Sequence, residues 1–167
     1  MTCLVCGAEM QTQRENFRYD ACGLPGITLI GVEVSRCPQC GEFEVAIPQI
    51  DDLHKTIAHK RIRKTSRLDA AEIRYLRKYL GWSGADFAEH MGVRPETISR
   101  WERGAEAIGP QADRLLRLMV VARDPVRDYS LELLTTITKE ESPQAAPLGL
   151  KMDEEGWHAE DQDLIAV

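Results

Sequence analysis

The feature that most constrains this chain is a pair of matching cysteine knuckles near its amino terminus. Residues 3–7 read CLVCG and residues 37–41 read CPQCG. Two residues between the thiols allow a tight turn to point both sulfurs at one ion, and the glycine after each pair can adopt a positive φ. Because 30 residues separate the knuckles, more than in a short zinc finger, we expect an intervening sheet to bring them together as in a zinc ribbon.

Four thiols on two such turns complete a tetrahedral site of the kind that zinc prefers. A site closed by four protein ligands has no open position for a substrate, so we assign it a structural role. Its ion would contribute on the order of 10 kcal/mol to folding. We predict one Zn²⁺ per chain, and its ligands are Cys3, Cys6, Cys37 and Cys40. The remaining cysteine, Cys22, lies in a predicted loop and is interpreted as a spectator thiol.

Iron is the alternative metal, because both knuckles also resemble those of rubredoxins. A rubredoxin-like redox protein is therefore a second functional class, and it would be red where a zinc protein is colourless. An enzyme is not expected, and we assign no catalytic residue. The sequence has no paired nucleophile and base, no phosphate-binding loop and no open metal site.

The residues between and after the knuckles predict strands and one helix. Residues 27–30 and 32–34 are rich in β-formers and read as strands of a small sheet, interrupted at Gly31. Pro48 can be the first residue of a helix. Apolar side chains then recur at helical spacing, which predicts an amphipathic helix over residues 48–60.

A strongly basic segment separates the two halves of the chain. Residues 60–67 read KRIRKTSR, with five basic side chains and no acid. We interpret residues 61–68 as a solvated basic linker, and additional contacts with phosphates are the alternative. The linker would join a zinc-binding domain of residues 1–60 to a helical domain of residues 69–138.

The net charge of −6 hides an uneven distribution. Residues 1–60 carry 5 basic and 8 acidic side chains, residues 61–138 carry 14 and 11, and residues 139–167 carry 2 and 8. The helical segment is thus basic, which is compatible with a nucleic-acid partner. No apolar run is long enough to span a bilayer, and none follows the first methionine as in a signal peptide. We therefore expect a cytoplasmic protein without membrane contact.

Residues 69–135 carry the signals of five helices. Asp69 can cap the first helix, and Ser83 can cap the second in a capping box with Asp86. A proline can open each of the other three, and these prolines are Pro95, Pro110 and Pro125. The fifth helix is predicted to reach about residue 134.

The run GADFAEHMGVRPETISRWE matches the requirements of a helix-turn-helix. The first helix has the small Ala88 where the two helices would cross closely, and Gly92 can adopt the φ of the turn. Ile98 and Trp101 lie one turn apart and can be buried against the first helix. Residues 94–103 are therefore the predicted recognition helix, and a generic helical hairpin is the alternative.

With its apolar side chains turned inward, the recognition helix presents a polar face to the major groove or its phosphates. Arg100 is the first choice for reading a base, because a guanidinium can bond guanine in bidentate fashion. Thr97 could contact a thymine methyl group, and Ser83 at a helix start suits a phosphate. The predicted DNA-binding residues are Ser83, Arg94, Glu96, Thr97, Ser99, Arg100 and Arg103.

Such proteins commonly bind palindromic operators in double-stranded DNA as two-fold dimers. The apolar fourth and fifth helices are the expected homodimer surface. Residues 139–167 contain two prolines and an acidic run at residues 153–155. They lack helical or strand periodicity, so we predict a disordered acidic tail. In that tail, Trp157 and the apolar residues 164–167 could form a short binding motif.

The run TISRWERG, residues 97–104, resembles the Xre/Cro-type helix-turn-helix family. Together with the amino-terminal Cys₄ element, the order of residues 1–135 resembles the MqsA-type antitoxins, whose amino-terminal part is a YgiT-type zinc finger. The cysteine spacings and two short runs, residues 99–104 and 115–117, carry this resemblance.

The resemblance implies an antitoxin of a type II toxin-antitoxin system. Its zinc domain would bind a toxin protein, and its helical domain would dimerise and repress its own operon, with Arg100 contacting bases. This chain departs from the family at Glu96, where relatives use Asn for a second base contact, and at Gly84, where many have Gln. Glutamate repels phosphate but can accept from a cytosine amino group, so we expect a different operator. A stand-alone repressor without a toxin is the alternative.

The sequence thus predicts an α+β protein of two domains. A small Cys₄ zinc-ribbon-like β domain with a helix precedes an all-α, five-helix Xre/Cro-type helix-turn-helix domain, and a disordered acidic carboxy-terminal tail follows.

Overall fold

A computed structural model describes residues 1–123, 129–137 and 147–160 of the chain. The structure is α+β, as the sequence predicts, and it divides into two compact units. The described part of the first unit consists of residues 1–19, 26–53 and 147–160. That of the second consists of residues 20–25, 54–123 and 129–137.

The first unit is built on a five-stranded sheet. Its strands are β1 (Gln11–Arg18), β2 (Ile27–Arg36), β3 (Phe43–Val45), β4 (Leu148–Asp153) and β5 (Gly156–Glu160). The long strand β2 pairs antiparallel with β1 and β3 and parallel with β4, and β4 pairs antiparallel with β5. The apolar side chains of β2 are buried along most of its length. Because β2 also pairs with three other strands, it is the central strand of this unit.

The predicted break at Gly31 is a bulge inside one continuous strand. The β1–β2 register shifts opposite Asn16, and Gly31 has a φ of +64°. The Gly31 N–H donates to the side-chain oxygen of Asn16 at 3.1 Å. A glycine in the left-handed region allows the extra residue without ending the strand, so the two predicted strands are one.

The carboxy-terminal tail is not disordered over its described residues, and that prediction is wrong for residues 147–160. They form the β4–β5 hairpin, and the start of β4 pairs with the start of β2. Leu148, Leu150 and Trp157 are buried. The first three residues of β4 are all buried, so the alternating pattern of a half-exposed strand is absent from the sequence. Residues 139–146 and 161–167 of the predicted tail lie outside the described residues.

The hairpin is fixed to the first unit by two hydrogen bonds of Trp157. Its indole N–H donates to the carbonyl oxygen of Pro48 at 2.8 Å, and its backbone N–H donates to the carboxylate of Asp52, also at 2.8 Å. Gly156 has a φ of +123°, and a Cβ at this position would lie 2.6 Å from an Asp52 oxygen. Only glycine fits here, because the turn needs that φ and the carboxylate approaches so closely.

Helix α1 runs from Ile50 to Ile62, so it begins two residues after the predicted start at Pro48. The second unit contains its last nine residues and, among the described residues, a 3₁₀ helix at Asp20–Cys22 and five further α-helices. These helices are α2 (Ala70–Tyr79), α3 (Gly84–Met91), α4 (Pro95–Glu102), α5 (Pro110–Arg123) and α6 (Leu133–Thr136). No helix in the described ranges is long and apolar enough to cross a membrane.

The helix starts follow the sequence signals closely. Asp69 and Ser83 are the N-caps of α2 and α3, and both form the full capping box, with Glu72 and Asp86 respectively. Gly92 ends α3 in the left-handed conformation, with a φ of +64°. The fifth predicted helix differs: its proposed start lies outside the described residues, residues 129–132 are not helical, and α6 is a single turn.

The predicted solvated linker is wrong, because its basic segment is partly buried in the second unit. Arg61 is 4% exposed and lies 3.7 Å from the buried carboxylate of Glu72, which also pairs with Lys64 at 2.5 Å. Burial raises the pKa of Glu72, although the Lys64 ammonium opposes the shift. Basic side chains that pair with a buried acid are no longer available to solvent.

A second buried ion pair holds the backbone of the same segment. The Arg117 guanidinium, which is fully buried, donates to the Asp113 carboxylate at 2.6 Å. Asp113 also accepts from the backbone N–H of Leu68 at 2.7 Å. Arg117 further donates to three carbonyl oxygens of the predicted linker, those of Ile62, Lys64 and Ser66. The segment is therefore fixed by hydrogen bonds that a charge count does not reveal.

Candidate metal centre and exposed face of helix α4

The four knuckle cysteines meet in a single cluster. Their sulfur atoms all lie within 4.8 Å of one another. The Sγ atoms of Cys3 and Cys40 are 3.5 Å apart, and those of Cys6 and Cys37 are 3.3 Å apart. Four zinc–sulfur bonds of about 2.3 Å in a tetrahedron separate the sulfurs by about 3.8 Å. This separation lies between the 3.3 Å of Cys6 and Cys37 and the 4.8 Å limit for the whole cluster. The four thiols therefore fit a tetrahedral metal ion, and all of them are free of disulfide bonds.

The two knuckles have the same backbone geometry. In each, the N–H of the closing glycine donates to the carbonyl of the first cysteine, at 2.8 Å for Gly7 and 3.1 Å for Gly41. These glycines have φ values of +75° and +76°. The N–H of the first cysteine donates to the carbonyl of the residue after the glycine, at 2.8 Å in both knuckles. The repeated CxxCG pattern thus encodes a repeated turn.

The β1–β2 pairing explains the long gap between the knuckles. The first knuckle precedes β1 and the second follows β2, and in the antiparallel ladder Gln11 lies opposite Arg36. The outer ends of the two strands therefore bring both turns together. Cys3 and Cys37 are buried with Met10, whereas Cys6 and Cys40 are exposed. The strands position the cluster, and the apolar side chains packed with it among the described residues are those of Met10 and Ala8.

The cluster favours a thiolate at Cys37. The backbone N–H of Cys40, followed by that of Gln39, donates toward its sulfur and lowers the pKa of Cys37 to about 6. At Cys40 the backbone N–H of Glu42 acts in the same direction, but the neighbouring sulfur atoms, first that of Cys37, together with local desolvation raise the pKa of Cys40 to about 12. A thiolate beside other thiols is the donor set that binds soft or borderline metal ions.

Helix α4 divides its side chains between a buried and an exposed face. Ile98 and Trp101 are buried. The indole N–H of Trp101 has no hydrogen-bond acceptor among the described residues. Five of the predicted DNA-binding residues on or beside this helix are exposed, and Thr97 is half-buried. The exposed five are Arg94, Glu96, Ser99, Arg100 and Arg103. Arg94 is the N-cap of α4 and Arg103 its C-cap.

The seventh predicted DNA-binding residue, Ser83, lies at the start of α3. It is exposed, and its hydroxyl accepts from the backbone N–H of Asp86 at 3.1 Å. The Asp86 carboxylate in turn accepts from the Ser83 N–H at 2.9 Å. Hydrogen bonding of the Asp86 carboxylate with the Ser83 side chain, and then with the Ser83 backbone N–H, lowers the pKa of Asp86. Ser83 therefore already caps its own helix, and the adjacent carboxylate adds a negative charge at this position.

Glu102 anchors α4 to α2, a role that the sequence interpretation missed. Its carboxylate accepts two hydrogen bonds from the Arg77 guanidinium, at 2.5 and 3.1 Å. Arg74 adds a hydrogen bond to the Glu102 carbonyl at 2.6 Å. A bidentate, half-buried arginine–carboxylate pair fixes orientation as well as distance. An acid in the last turn of a helix interacts unfavourably with the helix dipole. This placement could have indicated from the sequence that Glu102 has a basic partner elsewhere in the fold.

The fold and the site define an α+β protein. A four-thiol cluster that could hold a metal ion lies in the first unit, and a group of short helices forms the second. The family model described as the antitoxin component of a bacterial toxin-antitoxin system, MqsA, matches residues 1–127. The chain belongs to this antitoxin family, which confirms the resemblance seen in the sequence. No curated protein matches the chain. The β4–β5 hairpin lies beyond the matched residues.

Proposed function

We propose that this protein is a dimeric, zinc-stabilised repressor that binds double-stranded DNA and acts as the antitoxin of a type II toxin-antitoxin system. The observation that carries the DNA-binding part is the division of α4. Its apolar side chains are buried while three arginines, Arg94, Arg100 and Arg103, are exposed along one helix. In this proposal α3 and α4 form a helix-turn-helix, with α4 in the major groove.

Within this interface we assign base reading to Arg100. Its side chain is half exposed, and a guanidinium can donate to O6 and N7 of guanine at once. Thr97, Ser99 and Glu96 complete the reading face, and Ser83, Arg94 and Arg103 are assigned to the phosphates. Glu96 can accept from a cytosine amino group, which favours an operator different from that of relatives with Asn at this position.

We propose zinc as the metal of the thiol cluster. Four sulfur ligands in a closed cluster suit Zn²⁺ without leaving a position for catalysis. Iron remains the alternative, and the two metals are separated by colour and by elemental analysis of the purified protein. One colourless zinc per chain is expected, whereas a red iron-loaded protein would favour the rubredoxin-like alternative.

The partner proposals follow from the family. Membership implies a toxin protein as partner, and we assign its binding to the zinc-containing part of the chain. We assign dimerisation to α5 and α6, because Leu115 and Leu131 on or beside them are exposed apolar side chains. Co-purification of the full chain with the product of the adjacent gene tests the antitoxin part. Absence of such a complex would leave a stand-alone repressor.

The DNA-binding part is tested by fluorescence anisotropy with a duplex from the protein's own promoter. We expect Arg100→Ala to weaken binding by about 1–3 kcal/mol, because a bidentate base contact is lost. The matched control is Arg14→Ala, which removes an exposed arginine from the first unit. Equal affinity of Arg100→Ala and the wild-type protein would contradict the assignment of the reading residue.

A further inference from the structure

The turn after α4 folds back onto the helix and fixes the position of Glu106. Gly104, just after the end of α4, has a φ of +70°, in the left-handed region that glycine adopts at helix ends. The carbonyl oxygen of Arg100 then accepts from two backbone N–H groups, that of Ala105 at 3.0 Å and that of Glu106 at 3.4 Å. Glu106 is therefore tied by its backbone to the residue that we propose reads a base.

The side chains of the same two residues also pair. Arg100 Nη1 lies 3.5 Å from Glu106 Oε2, and the two side chains are 50% and 48% exposed. On its other side, Arg100 Nε donates to the backbone carbonyl of Glu96 at 3.4 Å. The Arg100 guanidinium therefore contacts two acceptors, the Glu106 carboxylate and the Glu96 carbonyl. Three of its five N–H donors remain, which is enough for a bidentate contact with guanine.

We propose that Glu106 is a specificity-determining residue that acts through Arg100, an inference that rests on the DNA binding proposed above. An exposed arginine attracts any phosphate, because that attraction has no directional requirement. A carboxylate beside it repels phosphates and reduces this indiscriminate binding. The edge of a guanine base is neutral and is bound through directional hydrogen bonds. The neighbouring carboxylate therefore weakens the binding of guanine to Arg100 much less than the binding of a phosphate. Glu106 therefore lowers affinity for all DNA but raises the preference for the correct site.

Other acids strengthen this argument. Asp86 and Glu89 on α3 and Glu96 on α4 are exposed on the two helices assigned to DNA. With Glu106 they outnumber the exposed arginines of α4, which are Arg94, Arg100 and Arg103. A surface of this composition binds phosphates weakly, so discrimination between sequences depends strongly on how the arginine that reads the base is oriented. The ion pair places Glu106, rather than the other acids, beside Arg100.

The test compares the affinity for a promoter duplex with that for a scrambled duplex of equal composition, at several salt concentrations. We expect Glu106→Gln to bind scrambled DNA about 3- to 10-fold more tightly, with a much smaller gain on promoter DNA. The specificity ratio should therefore fall at least about threefold. The matched control is Glu89→Gln, which removes an exposed charge from α3. It should raise the affinity for both duplexes to a similar extent and so leave the ratio unchanged.

Two further variants distinguish a direct charge effect from action through Arg100. In an Arg100→Ala background, Glu106→Gln should no longer change the specificity ratio, because its partner is missing. Glu106→Asp, which keeps the charge, should retain most of the wild-type ratio. In the DNA-free protein, the NMR signal of the Arg100 Nε–H group should shift in Glu106→Gln but not in Glu89→Gln.

An unchanged ratio in Glu106→Gln, a fall that persists in the Arg100→Ala background, or an unmoved Arg100 signal would each overturn the proposal. Failure of the proposed function looks different. In that case the wild-type protein itself would not discriminate the promoter duplex from the scrambled one, and the role of Glu106 would fall with it.

Discussion

The two units of this protein are stabilised in different ways. In the described part of the first, Cys3 and Cys37 pack with Met10 and the partly buried Ala8, and the geometry of the thiol cluster depends on the pairing of β1 with β2. The described residues of the second contain two capping boxes, two buried ion-pair networks and a core of large apolar side chains such as Phe87 and Leu76. Metal dependence should therefore be local to the knuckles, whereas the helices depend on internal polar contacts.

Metal removal is expected to have the largest effect and tests this comparison directly. Cys37→Ser removes one of four ligands, so the folding contribution of the metal, on the order of 10 kcal/mol, is largely lost. Hydrogen exchange should then accelerate in both knuckles and at the outer ends of β1 and β2. The matched control is Cys22→Ser, which removes a cysteine outside the cluster and should change metal content little. Equal loss of protection in α2–α5 would contradict a metal dependence that is local to the knuckles.

The buried pair of the second unit gives the next largest effect. Asp113→Ala leaves the Arg117 guanidinium buried without its counter-charge, which costs about 3–5 kcal/mol. Chemical denaturation monitored by the helical signal measures this cost. Asp51→Ala, at an exposed aspartate in the first turn of α1, is the control and should cost less than about 1 kcal/mol. A small effect of Asp113→Ala would show that the helices do not depend on this pair.

The β4–β5 hairpin is expected to stabilise the first unit independently of any metal. Gly156→Ala forces a side chain into a φ of +123° and against the Asp52 carboxylate, at a cost of about 1–3 kcal/mol. Exchange of the β4 and β5 amides should accelerate. Gly109→Ala, where a Cβ would meet nothing within 4 Å, is the control. Undisturbed hairpin amides in Gly156→Ala would contradict the fixed position of Trp157.

The helix cap at Ser83 has the smallest expected effect. Ser83→Ala should cost about 1 kcal/mol, because the Asp86 N–H loses its acceptor. The variant should also bring the pKa of Asp86 back toward its ordinary value, as measured by NMR titration. A lowered folded-state pKa means that the stabilisation exists above the unfolded-state pKa and is lost as pH falls through the folded-state pKa. A pKa of Asp86 that does not rise in Ser83→Ala would contradict the capping box.

Much of the candidate site could be predicted from short spacings. The CxxCG pattern fixes a turn within five residues, so the cluster of Cys3, Cys6, Cys37 and Cys40 follows from the sequence once β1 and β2 pair. The caps at Asp69 and Ser83 are equally local, since a side chain bonds to a backbone N–H three residues away. Helical periodicity likewise placed Ile98 and Trp101 on the buried face of α4.

The contacts that the sequence did not predict join distant residues. Nothing near residues 60–67 indicates that Glu72 and Arg117 will draw this basic segment into the second unit. The pairing of Arg77 with Glu102 is of the same kind. A charge run looks solvated until its partners are known, because burial of a cation depends on an acid that the fold brings to it.

The sequence alone predicts the two cysteine knuckles, the helix caps and the exposed arginines of α4, because each depends on residues a few positions apart. Two other features require the folded chain: residues 148–160 belong to the sheet of the first unit, and Arg117 donates to the carbonyl oxygens of Ile62 and Ser66. Strand pairing and buried hydrogen-bond networks of this kind depend on where the backbone brings groups that lie far apart in the sequence. Composition alone therefore describes an acidic tail, while in the structure part of it forms a hairpin whose apolar side chains Leu148, Leu150 and Trp157 are buried.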